Sequence, residues 1–101
     1  MTGEGPVRLE AAASGRVQGV GFRYHVRRAA ATAGLDGWVR NEPDGRVRCV
    51  AEGPRSDLEA LLAVIERGPP GAVVSDVEVR WDAASGDLGP FAIRSRGHPG
   101  D

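Results

Sequence analysis

The sequence predicts an α+β fold in which an antiparallel sheet carries two helices on one face. Three observations predict it. The apolar period switches between two and about 3.6 residues in the order strand, helix, strand, strand, helix, strand, strand. Glycine, proline and asparagine or aspartate stand at the switches. A chain of 101 residues holds one domain with a modest core and no room for a second.

The elements follow in order. In "VRLEAAASG", Val7, Leu9, Ala11 and Ala13 alternate with Arg8, Glu10 and Ala12, the period of a strand with one buried face. From Phe22 the spacing changes: Phe22, Val26, Ala29, Ala30 and Ala33 fall at helical intervals, and Gly34 stands where a C-terminal cap belongs. "LDGWVRNEPDGRVRCVAEG" reads as a hairpin, with Trp38 to Asn41 as one strand, Pro43, Asp44 and Gly45 as the turn and Arg46 to Glu52 as the next strand. Ser56 and Glu59 read as a capping box, Leu58, Leu61, Leu62 and Ile65 mark one helical face, and Gly68, Pro69 and Pro70 end the second helix. "VVSDVEVRW" sets Val77, Val79 and Trp81 on one side, and "FAIRS" offers Phe91 and Ile93 as a short final strand. This is the split β-α-β, or ferredoxin-like, order. We expect a domain over residues 7–95, with loosely held ends at residues 1–6 and 96–101.

Composition narrows the function. Thirteen basic and fourteen acidic residues nearly cancel, so no broad field draws in nucleic acid or anionic lipid, and any anion site is local. Every basic residue is arginine; without lysine, Schiff-base chemistry and a P-loop lysine are excluded. No apolar run approaches the ~20 residues of a membrane helix. Cys49, the single cysteine, permits no internal disulfide, and its phase with Val47 and Ala51 makes it a core thiol. "MTGEGPVRLE" lacks the pattern of a secretory leader, so we expect a cytoplasmic protein. We also expect a monomer with no nucleic-acid or membrane partner.

In a split β-α-β unit the first and second strands run parallel with the third between them, so their C-terminal ends share one edge of the sheet. The loop from Ser14 to Gly21, "SGRVQGVG", leaves the first strand there, and Asn41 ends the second. Asn41 shares parity with Val39, which sends its side chain toward the helix layer beside the loop. A glycine-rich loop entering a helix N-terminus presents unpaired N–H groups and the positive end of the helix dipole, a ready anion site. Gly15, Gly19 and Gly21 let the backbone wrap closely, and Arg23 adds a permanent charge with a fork of donors. Taken alone, the loop reads equally well as a simple strand-to-helix turn beside a solvated arginine. A P-loop needs Lys and Ser or Thr after its last glycine, and a dinucleotide fingerprint needs glycine where Tyr24 stands, so nucleotide binding is disfavoured.

"GRVQGVGFR", followed about fifteen residues later by "GWVRN", resembles the paired signature of the acylphosphatases. The "DG" turn, the "AEG" of the third strand and the terminal "FAIR" extend the resemblance over residues 7 to 94. Gly21 occupies a variable position of that pattern, and Arg48 stands where an acidic residue is frequent. The resemblance implies a ferredoxin-like fold and hydrolysis of small acyl phosphates to carboxylate and inorganic phosphate, with no cofactor and no metal. It implies that main-chain amides of Gln18, Gly19, Val20, Gly21 and Phe22 bind the phosphoryl group, that Arg23 clamps it and that Asn41 orients the attacking water.

The residues suit that chemistry. A carboxylate leaves without being protonated by an enzyme acid, so the remaining tasks are charge neutralisation and positioning of a water. His25 and His98 lie far apart and neither has a partner at metal-ligand spacing. His25 is expected partly buried beside the first helix, Trp38 and Trp81 as sheet packing, and Arg27 and Arg28 as a solvated face; Arg16 either attracts anions or is simply exposed. An RNA-recognition sheet needs aromatics that "RVRCVAEG" lacks, and a ferredoxin-like metal chaperone needs a C-x-x-C before the first helix. The alternative that remains is a phosphate- or carbamoyl-phosphate-binding module, since acylphosphatase-like domains also occur at the N-terminus of hydrogenase-maturation proteins.

Overall fold

In the computed structural model, described over residues 5–95, the chain forms β1 (Val7–Arg16), α1 (Phe22–Thr32), β2 (Asp36–Asn41), β3 (Val47–Gly53), α2 (Arg55–Arg67), β4 (Val73–Ala83) and β5 (Ala92–Ile93). Residues 1–4 and 96–101, with His98 and most of the ends expected to be loose, lie outside the described residues. The sheet order is β4-β1-β3-β2-β5. β1 pairs antiparallel with β3 and β4, and β2 antiparallel with β3. β1 and β2 therefore run parallel with β3 between them, the ferredoxin-like arrangement.

Alternation puts Leu9, Ala11 and Ala13 of β1, Val39 of β2 and Val47, Cys49 and Ala51 of β3 on one buried face. Phe22, Val26 and Ala30 of α1 and Leu58, Leu61 and Ile65 of α2 close over it. The opposite face is a lattice of opposed charges, in which Arg48 reaches Glu10 at 3.6 Å and Glu42 at 3.7 Å. Arg48 is thus committed to carboxylates on the side of the sheet remote from the helices. Trp38 lies on that face, with the guanidinium groups of Arg40 and Arg94 at 4.7 and 5.3 Å from its ring centroid. Trp81 instead packs partly buried on the helix side, with the Arg55 guanidinium 4.0 Å from its ring centroid.

Two features depart from the sequence reading. The sheet is mixed, because β5 pairs parallel with β2. β4 runs against β1, so a chain that reverses after β4 and crosses to the far edge arrives in the direction of β2. The loop that makes this crossing is tied down by Glu52, which accepts from the main-chain N–H groups of Ser85 (2.8 Å) and Gly86 (2.9 Å) and from Arg8 Nε (2.8 Å). Ser56 and Glu59 form no capping box. α2 starts two residues earlier, with extended Pro54 rather than Ser56 at its N-cap and no side-chain cap bond, and Glu59 accepts from Arg55 Nε at 3.3 Å instead. The predicted end of α1 holds: Gly34 adopts φ 71°, and the N–H groups of Gly34 and Leu35 reach the carbonyls of Ala31 and Ala30, each at 3.0 Å.

Candidate active site

The site begins where β1 ends. A register shift between Ser14 and Gly15 turns the strand against β4. Gly15 has φ 117°, and a Cβ there would collide with the Val73 carbonyl oxygen and come within 2.9 Å of the Ser75 nitrogen. Only glycine lets the exit of β1 lie this close to the start of β4. Val17, buried in the core, and Val20, packed against it, then hold the loop down.

Gly21 is the N-cap of α1 in the left-handed conformation, φ 80° and ψ 18°, and caps nothing with a side chain. The first turn of α1 also holds no acidic residue. Among the described residues, no main-chain N–H from Gln18 to Tyr24 donates to a carbonyl or a side chain; the first satisfied donor is His25, to the Gly21 carbonyl at 3.0 Å. A helix start of this kind, curled by glycines and without a carboxylate, offers donors and a positive dipole end to an external anion.

Arg23 is half-buried and makes no hydrogen bond or ion pair among the described residues. The contrast is with Arg8, Arg40, Arg46, Arg48, Arg55 and Arg80, each within 4.0 Å of a carboxylate. α1 packs against α2 on one flank and over β2 and β5 on the other. His25 lines a cavity with residues of α2, so Arg23, about 200° round the helix from it, faces the β2 flank.

Asn41 stands on that flank as the last residue of β2, on the buried face with Val39. The residue is 9% exposed and its side chain makes no hydrogen bond among the described residues, yet neither polar atom of the side chain is sealed from solvent. The amide is open to a water-sized partner. Gln18 joins the loop to this corner: its side-chain NH₂ donates to the carbonyls of Glu42 at 2.9 Å and Arg46 at 3.0 Å. The loop thus meets the turn that follows Asn41 at one edge of the sheet, and Arg23 is the second residue of the helix that leaves the loop.

The other singled-out residues lie elsewhere or are inert. Burial pushes the Cys49 thiol up to about 12, which removes it as a nucleophile near neutral pH. Arg16, Arg27 and Arg28 are exposed. Among the described residues no three His, Cys, Asp or Glu side chains group to hold a metal, and no helix is long and apolar enough to cross a membrane. Two roles escape sequence reasoning. Gln18 reads there as a loop residue supplying an amide, whereas its side chain braces the neighbouring turn; Glu52 carries no sign of anchoring a loop, because its main-chain donors come from a segment more than thirty residues on. Burial pushes the Glu52 carboxyl upward, but hydrogen bonds from Ser85, Gly86 and Arg8 outweigh it and hold the group at about 2.

Comparisons with known proteins place the chain in a family. The Acylphosphatase family model matches residues 9–93. An acylphosphatase of Anaeromyxobacter sp. (strain Fw109-5) is 54% identical over 81 residues, covering 80% of this chain and 87% of that protein. The crystal structure of acylphosphatase from Bacillus subtilis superposes with a TM-score of 0.83 at 38% identity, covering 87% of this chain and 98% of that one. Full-length HypF in its phosphate- and nucleotide-bound form superposes with a TM-score of 0.75 at 26% identity, covering 96% of this chain and 13% of that one. With a family model spanning both signature segments and curated relatives matched over most of their length, the chain belongs to the acylphosphatase family.

Proposed function

We propose that this chain hydrolyses the carboxyl–phosphate bond of small acyl phosphates, giving a carboxylate and inorganic phosphate without cofactor or metal. One observation carries the reading: among the described residues the N–H donors from Gln18 to Tyr24 and the Arg23 guanidinium have no partner, and Gln18 ties that loop to the turn that follows the open Asn41 amide. The amides from Gln18 to Phe22 and the Arg23 fork bind the phosphoryl oxygens and neutralise the charge that gathers there in the transition state. Asn41 holds the attacking water, since its amide both donates and accepts without titrating. A bond forms from the water oxygen to phosphorus, the bond from phosphorus to the acyl oxygen breaks, and the carboxylate leaves with that electron pair. The water's proton passes to a phosphoryl oxygen.

A module that binds without turnover is the second reading, favoured by the likeness of almost the whole chain to one segment of HypF. Benzoyl phosphate hydrolysis with a chelator present separates the two. Chelator-resistant turnover is expected. A folded protein that binds inorganic phosphate but does not hydrolyse benzoyl phosphate would leave the binding module.

A further inference from the structure

A cavity of about 580 Å³ opens between α1 and α2, its walls including His25, Val64, Arg67, Pro69, Pro70 and Ala72. It is far larger than an acetyl group and of the size that ligand sites commonly reach. Its lining holds no acidic residue, and Arg67, the last residue of α2, has no carboxylate or other partner among the described residues.

Its position relative to the phosphoryl site follows from the sheet order. At the edge where β1 ends, Asn41 ends β2 two strands away on one side, roughly 10 Å. On the other side Val73, paired with Arg16, starts β4 one strand away. Ala72 and Gly71 immediately precede Val73, and Gly68 lies against the Phe22 ring, where a Cβ would come within 3.2 Å of Cε2. The loop is therefore bracketed by Asn41 on one flank and by the cavity wall on the other. Displacement at phosphorus runs in line, with the entering and leaving oxygens on opposite sides. A water held at Asn41 directs the leaving carboxylate, and the acyl group attached to it, toward the α1–α2 cavity.

We propose that this cavity binds the acyl group, and that Arg67 at its rim selects acyl phosphates bearing a second anionic group at the far end of an apolar body. The inference rests on the acylphosphatase reading. Apolar Val64, Ala72 and the two prolines take the body, and the free guanidinium takes the distal carboxylate.

The test compares kcat/KM for acetyl, benzoyl and 4-carboxybenzoyl phosphate, a rigid pair plus a minimal substrate, in wild type, Arg67→Gln and Ala63→Trp. Ala63 is an exposed residue of the cavity wall, so tryptophan there fills the cavity from the surface. The expected result is about a 10-fold preference for 4-carboxybenzoyl over benzoyl phosphate in wild type, falling to about one in Arg67→Gln. Ala63→Trp is expected to lower both aromatic substrates several-fold relative to acetyl phosphate. A wild-type ratio near one, a preference that Arg67→Gln leaves unchanged, or an aromatic-to-acetyl ratio untouched by Ala63→Trp would each overturn the inference while leaving the enzyme an acylphosphatase. No hydrolysis of any of the three substrates would overturn the acylphosphatase reading itself.

Discussion

Gln18 and Glu42 are 24 residues apart, yet the side-chain amide of the first donates to the main-chain carbonyl of the second at 2.9 Å. The same NH₂ reaches the Arg46 carbonyl at 3.0 Å, so one side chain fastens the loop before α1 to the turn that follows Asn41. Gln18→Ala removes both bonds and is expected to cost about 1–2 kcal/mol of stability. It should also lower turnover, because the loop amides and Asn41 lose their common reference. Denaturant unfolding and benzoyl phosphate kinetics check this; unchanged turnover with lowered stability would make the bond a fold contact only.

Arg23 has no competing partner among the described residues, so its charge is available in full to a bound phosphoryl group. Arg23→Ala is expected to lower kcat/KM by roughly 10² to 10³, the loss typical of one transition-state donor. Arg23→Lys should remain severely impaired, because a point charge cannot reproduce the bidentate fork. Steady-state kinetics decide the matter, and near-wild-type rates in either variant would remove Arg23 from the site.

Asn41→Ala is expected to lower kcat while leaving inhibition by inorganic phosphate close to wild type, since the role proposed for the side chain is to hold the water rather than the phosphoryl group. The opposite split, weakened phosphate inhibition with kcat retained, would make Asn41 a binding residue.

Glu52 sets an acid limit on stability. Its folded-state value of about 2 lies below its usual 4.5, so on acidification the unfolded chain takes up the proton first. The stabilisation is present above about 4.5 and drains away as the pH falls toward 2. Glu52→Gln should lower stability at neutral pH and flatten this part of the profile. Urea midpoints measured at intervals from neutral pH down to pH 3 test it; parallel profiles for the two proteins would show that Glu52 does not control the acid limb.

What the sequence made legible was local or topological. Phe22 to Gly34 was readable as a helix because apolar spacing and a left-handed terminal glycine agree, and Asn41 could be aimed because parity with Val39 fixes its face. The start of α2 was not, because Glu59 can serve either a capping serine or Arg55, and extended Pro54 settles the start in favour of the second. The direction of β5 depends on where a crossing loop lands, and the parts played by Gln18 and Glu52 depend on carbonyls and amides of distant turns. None of these leaves a pattern in its own neighbourhood.

The central claim is that the site delivers water to phosphorus, and hydrolysis of benzoyl phosphate in ¹⁸O-enriched water tests it most directly. Mass spectrometry of the products should find the label in inorganic phosphate. Label in benzoate would mean that water attacks the carbonyl carbon, contradicting the roles given to Arg23, the loop amides and Asn41.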